Sequence, residues 1–221
     1  MCRNASRRAG AFGGARVDNS RWPRILMITA GSSMAANALS LQTLSFYKKV
    51  KDYYRAIGAK ELHQSRVLDF GCGWGRIIRY FAKDVPQDNL FGCDPSGEIL
   101  QVCEELRVPG IFRLSDFRPR ELPFAEKFDL VYSYSVFTHL SEKTHLECLE
   151  SLHNSMAKDG VLIVTFRPRD FLGMRGGEIM NANQEEICQL YDSYNRGTYA
   201  FLPHPRNLFR GTLHTAMLVF P

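Results

Sequence analysis

Between residues 66 and 75 a short apolar run, Arg-Val-Leu-Asp-Phe, passes directly into Gly-Cys-Gly-Trp-Gly. A strand that meets three alternate glycines must turn sharply, and Arg76 to Lys83 reads as the helix that follows, with Ile77, Ile78 and Phe81 facing inward. Gly71 and Gly73 allow backbone conformations or close approaches that a Cβ would block, and Gly75 lets the helix pack against the sheet. Strand, glycine loop and helix in that order are a ligand-binding signature. A dinucleotide fingerprint would need glycine at position 76, where Arg76 stands, and a nucleoside-triphosphate loop would need Gly-Lys-Ser/Thr at the turn.

The same unit recurs along the chain. Asn89 to Cys93 reads as a second strand ending at Asp94, and Pro95 to Arg107 as a helix opened by Pro-Ser. Ile111 to Leu114, Phe128 to Ser133 and Val161 to Arg167 supply three more strands, with a helix from Ser141 to Met156 before the last. An amphipathic helix from Leu39 to Ile57, ended by Gly58, precedes them all. Strands alternating with helices imply an α/β fold: a doubly wound, mainly parallel Rossmann-like sheet whose ligand lies beyond the carboxyl ends of the strands. Function should then collect at Phe70 to Gly75, Asp94 to Ser96, Ser115 to Phe117 and Ser133 to His139.

Composition and charge remove several other classes. The 221 residues are 45% apolar and 23% charged, values of an ordinary globular domain. No run approaches the ~18 uninterrupted apolar residues of a membrane span. The formal charge of +5 sits wholly in residues 1–24, where six arginines face Asp18 alone, so the body is balanced and shows no general attraction to phosphate backbones. That Arg-, Gly-, Ala- and Ser-rich tail is expected to be disordered, and residues 25–221 to form one domain with an N-terminal helix. The six cysteines form no close pair, which argues against a metal site and for reduced thiols in a cytoplasmic protein.

At the other strand ends stand groups suited to a nucleoside. Asp94, 25 residues after Asp69, can accept two hydrogen bonds from a ribose, and Ser115-Asp116-Phe117 combines an acceptor for an adenine amino group with an aromatic face for the ring. With these in place the sequence resembles the class I S-adenosylmethionine-dependent methyltransferases: VLDFGCGWGRIIRYF is similar to their first motif, LFGCDPSGEIL to their ribose-binding motif, LSDFRPRELPF to their adenine-contact region, and FDLVYSYSVFTHLSE to their fourth-strand segment. Thr29 to Ser33 also resembles a stretch found in a bacterial subgroup.

The resemblance implies S-adenosyl-L-methionine as cofactor, bound by Asp69, Gly71, Cys72, Gly73, Gly75, Asp94, Pro95, Ser115, Asp116, Phe117 and Ser133. Ser133 or Tyr134 would flank the methyl-transfer position, and His139 is the candidate to take a proton from a hydroxyl or protonated amine. The implied activity is methyl transfer to a small-molecule or sugar-like acceptor. A nucleic-acid acceptor is disfavoured, because the Asn/Asp-Pro-Pro-Tyr type of base site is absent, the nearest phrase being Ser133-Tyr134-Ser135.

The family's sheet has seven strands, the last two forming a hairpin after the fifth. Only 54 residues follow Arg167, with a helix from Asn183 to Asn195 and one strand candidate, Thr215 to Phe220, so the last strand is expected to be lacking. Either the chain is truncated or the sheet is completed otherwise, for instance by another subunit in a homo-oligomer that covers the edge. The alternative function that follows is a cofactor-binding but inactive module serving a partner protein.

Overall fold

The computed structural model describes residues 24–29, 36–167, 183–203 and 216–219. Eight strands are present among them: β1 (Arg24–Thr29), β2 (Val67–Phe70), β3 (Leu90–Asp94), β4 (Ile111–Leu114), β5 (Phe128–Ser133), β6 (Met156–Phe166), β7 (Ala200–Pro203) and β8 (Ala216–Val219). The helices are α1 (Ala36–Ile57), α2 (Ile78–Phe81), α3 (Gly97–Glu105), α4 (Glu142–Ser155) and α5 (Gln184–Asn195). Six strands make one sheet in the order β1-β6-β5-β2-β3-β4, every pair parallel. All six carboxyl ends therefore lie along one rim.

The strand sequences explain how both faces are buried. Successive side chains of a strand point to opposite faces, and Val67, Leu90, Leu130, Tyr132, Val161 and Ile163 join one core with Phe46, Tyr47, Val50 and Tyr54 of α1 and Ile78 and Phe81 of α2. Leu68, Phe70, Phe91, Cys93, Val131, Leu162 and Val164 point the other way, onto Cys148 and Leu152 of α4. Phe81 stacks on Tyr132 with ring centroids 4.9 Å apart. Burying a side chain such as Phe81 contributes about 1.5–3 kcal/mol, so the short α2 is held by its contacts rather than by its length.

Capping sets where the helices start. Ser96 accepts the Ile99 N–H at the head of α3, Ser141 accepts the Thr144 N–H at the head of α4, and Asn183 with Glu186 closes a reciprocal capping box on α5. Gly58 ends α1, its N–H donating to the Tyr54 carbonyl at 2.7 Å.

No strand after β6 joins the main sheet among the described residues; β8, inside the expected Thr215–Phe220 segment, pairs antiparallel with β7 in a separate two-stranded sheet. The edge beside β6 is nevertheless filled. β1 pairs with it from Arg24 opposite Val161 to Thr29 opposite Phe166. The sequence signals no strand before α1 and leaves this edge either truncated or completed otherwise, for instance by another subunit. Of the expected tail, only Arg24 falls among the described residues, as the first residue of β1.

Candidate active site

The glycine turn is built on the end of β3. The N–H groups of Gly71 and Cys72 both donate to the Cys93 carbonyl, at 2.9 and 3.0 Å, which ties the loop to the neighbouring strand. Gly71 has φ +74°, and a Cβ there would stand 2.3 Å from Val136 Cγ2, so the residue is glycine for conformation and for space. Gly73 has φ +52° with nothing within 4 Å of its absent side chain; the loop opens there. At Gly75 a Cβ would meet Val108 Cγ1 at 2.8 Å, which accounts for the close packing of this turn.

Asp94 braces the loop. Its Oδ2 accepts the Gly73 N–H at 3.0 Å and its Oδ1 accepts the Ser96 N–H at 3.0 Å. Burial raises its pKa, and the two backbone donors oppose that rise. A carboxylate has about four lone-pair sites, so both oxygens keep capacity for further donors.

Beside the turn lies a cavity of about 420 Å³, whose wall includes Phe70, Gly71, Pro95, Ser115, Asp116, Phe117, Val136 and His139. The Ser115 N–H donates to the Asp94 carbonyl at 3.1 Å, which carries the end of β4 alongside that of β3. Phe117 is 52% exposed, a large apolar surface left open at the cavity. His139 stands in the same wall with Nε2 3.4 Å from Ser135 Oγ, and Ser135 itself is held at φ +63° with its N–H on Thr165 Oγ1.

Three of the residues expected to touch cofactor are turned inward. Asp69 is 1% exposed and accepts the Tyr132 hydroxyl at 3.1 Å, and burial pushes its carboxyl up to about 8, so it is a protonated acid beneath the loop at neutral pH. Cys72 is buried, its Sγ turned toward the Gly73 carbonyl, which also accepts the Cys103 thiol at 3.3 Å. Ser133 is 0% exposed and donates to the Phe70 carbonyl at 2.8 Å; the expectation that it flanks a reacting group is corrected, because its hydroxyl ties β5 to the end of β2. Tyr134, on the α1 side, is the half-buried member of that pair.

Arg118, Leu140, Lys143 and Thr144 also line the cavity and were not singled out from the sequence, nor was Val136. Val136 had a readable signal, an apolar residue just past a strand end opposite the glycine turn. The others come from the head of α4 and the loop after β4, and only the fold brings them in. Trp74 lies outside this wall, with the Arg79 guanidinium 4.7 Å over its ring. Among the described residues no three His, Cys, Asp or Glu side chains converge as metal ligands, and no helix is long and apolar enough to cross a membrane.

Residues 67–160, which run from β2 into β6 and include every loop of this site, match the family model described as a methyltransferase domain. Over these residues, less than half of the chain, the sequence is similar to methyltransferase domains. The chain is similar to an uncharacterized methyltransferase of Schizosaccharomyces pombe, 37% identical over 89 residues, which are 35% of this chain and 31% of that protein. It is also similar to the malonyl-[acyl-carrier protein] O-methyltransferase of Halalkalibacterium halodurans, 30% identical over 124 residues, 53% of this chain and 45% of that one. The chain spans between about a third and just over half of the length of three curated methyltransferases it matches. Among solved structures, the plantazolicin methyltransferase BpumL in complex with SAH superposes with a TM-score of 0.52 at 23% identity, covering 70% of this chain and 57% of that one, a likeness of fold.

Proposed function

We propose that this chain binds S-adenosylmethionine and transfers its methyl group to a small-molecule acceptor. The observation that supports the reading is that Gly71, Pro95 and the Ser115-Asp116-Phe117 run line one hollow at the carboxyl rim, while the neighbouring Gly73 N–H is held by the Asp94 carboxylate. The residues fit the cofactor: Gly73 admits backbone approach, Asp94 retains acceptor sites for a diol, and Asp116 with Phe117 offers an acceptor and a ring face to a purine. When bound, the cofactor would supply an electrophilic methyl carbon, with its sulfur as the leaving group.

The protein's share in such a substitution is to position, to orient and to exclude water. The glycine turn, braced by Asp94 and by the Cys93 carbonyl, is already folded for that role. His139 is the group in the cavity wall suited to take a proton from an acceptor that carries one. The alternative of an inactive module follows from the expected lack of the last strand; β1, by pairing with β6, covers that side of the sheet. The Halalkalibacterium halodurans relative, whose acceptor is a carrier-bound malonyl group by its name, supports a small acyl acceptor as one class to test. Isothermal titration with S-adenosylhomocysteine tests the reading: a folded sample that shows no binding at several hundred micromolar overturns it.

A further inference from the structure

Two thiols meet at the glycine turn from different elements. Cys72 stands in the turn itself, between Gly71 and Gly73, and Cys103 stands on α3. The Gly73 carbonyl accepts from both, from Cys72 Sγ at 3.5 Å and from Cys103 Sγ at 3.3 Å, so two sulfur atoms share one oxygen. Cys72 Sγ is fixed against β3, where a Cβ on Gly92 would meet it at 3.0 Å. Both cysteines are buried and neither is in a disulfide. The thiols also hydrogen-bond each other, which holds Cys103 below the ordinary thiol range and, together with burial, pushes Cys72 above it. Arg79, whose Nε donates to the Gly75 carbonyl at 3.0 Å, adds a positive charge that favours the Cys103 thiolate.

Packing beneath the turn needs only small apolar side chains, and a pair of sulfur atoms on one carbonyl adds a chemistry that packing does not require. We propose that Cys72 and Cys103 form a reversible disulfide under peroxide, and that this bond reshapes the cofactor turn. The proposal rests on the S-adenosylmethionine reading of that turn. In the first step the Cys103 thiolate attacks the peroxide, takes one oxygen as a sulfenic acid and releases hydroxide. The Cys72 sulfur then displaces the sulfenic hydroxyl, and its own proton leaves with that hydroxyl as water while the S–S bond forms. Sulfur is oxidised, peroxide oxygen is reduced, and a dithiol reverses the change by exchange. An S–S bond of about 2 Å draws α3 and the turn together and removes both thiol donors from the Gly73 carbonyl. Gly73 is also the residue whose N–H the Asp94 carboxylate holds at 3.0 Å, so the change reaches the brace of the turn.

The test treats the full, reduced chain with hydrogen peroxide. Peptide mapping without reductant, calorimetric titration with S-adenosylhomocysteine and hydrogen exchange across residues 71–76 are then compared before and after. A peptide linking Cys72 to Cys103 is expected, with altered exchange in that stretch and affinity weakened about tenfold or more, the scale of a displaced hydrogen bond. Dithiothreitol should reverse all three. Cys103→Ser should form no such link and keep its affinity after peroxide. Cys103→Ala, which leaves no polar atom in the core, is the second variant, and thermal unfolding shows which of the two is folded. Absence of the linked peptide, a link that leaves affinity unchanged, or an equal loss of affinity in a folded Cys103 variant overturns the proposal. A reduced chain that binds no S-adenosylhomocysteine overturns the methyl-transfer reading instead, and the linked peptide with its change in exchange then decides this proposal alone.

Discussion

The Asp94 carboxylate accepts the Gly73 N–H at 3.0 Å, so the acid at the end of β3 braces the turn at the end of the neighbouring β2. One side chain thereby sets the loop's shape and offers oxygens to whatever the loop receives. Removing it should damage both roles. Asp94→Ala is expected to weaken S-adenosylhomocysteine binding about 100-fold, the scale of lost charge-assisted hydrogen bonds. Asp94→Asn, which keeps one acceptor oxygen, should lose less; calorimetric titration of both variants checks the order.

The glycines at 71 and 73 should separate stability from binding. Ala at either must adopt a positive φ, a cost of about 1–2 kcal/mol, but only Gly71→Ala also meets a side chain, Val136 Cγ2. Gly71→Ala should therefore be the less stable in urea unfolding, with Val136→Ala partly rescuing it in the double variant. Gly73→Ala should instead show its larger loss in cofactor affinity.

Phe117 offers a third contrast. Because it is 52% exposed, Phe117→Ala should change unfolding stability by less than about 0.5 kcal/mol. If its ring covers a purine, S-adenosylhomocysteine affinity should fall about tenfold, the scale of an aromatic contact. Denaturant unfolding and calorimetry on the same sample check the two halves.

Asp69 makes stability depend on pH. Its folded pKa is raised to about 8 from an ordinary value of 3.8, so the folded state holds a proton that the unfolded chain releases. That contribution is complete below the unfolded pKa and is lost as pH rises towards 8. His145, lowered to about 4 by burial from 6.5, works in the opposite sense but only below about pH 6.5. Between pH 6.5 and 8 the wild-type protein should therefore lose up to about 1.4 kcal/mol per pH unit. Asp69→Asn should flatten this slope in urea unfolding measured across that window.

Much of the fold could be read from residue order. Ile111–Leu114 and Phe128–Ser133 are strands with the expected bounds, because their apolar runs end at polar or turn-forming residues. β1 escaped because Arg-Ile-Leu-Met-Ile-Thr follows an arginine-rich stretch and carries no alternation. The site was legible where glycine and aspartate occupy strand ends, as at Gly73 and Asp94, since local chain geometry explains them. Ser133 was misread because nothing local tells a strand-end hydroxyl that faces a cleft from one that satisfies a neighbouring carbonyl. Pairing Arg76 with Tyr134 needs contacts between segments more than 50 residues apart, which no periodicity encodes.

β1 is translated first among the six strands of the sheet, yet its hydrogen-bonding partner is translated last, since Arg24 must wait for Val161. While the chain emerges from the ribosome, the five-stranded remainder can assemble only as its later segments arrive, and the leading strand stays idle until the end. Proteolytic loss of that leading segment would strip β6 of its neighbour and lay bare a row of backbone donors and acceptors, a template for aggregation. Its docking on β6 therefore covers an edge that residues far along the chain create.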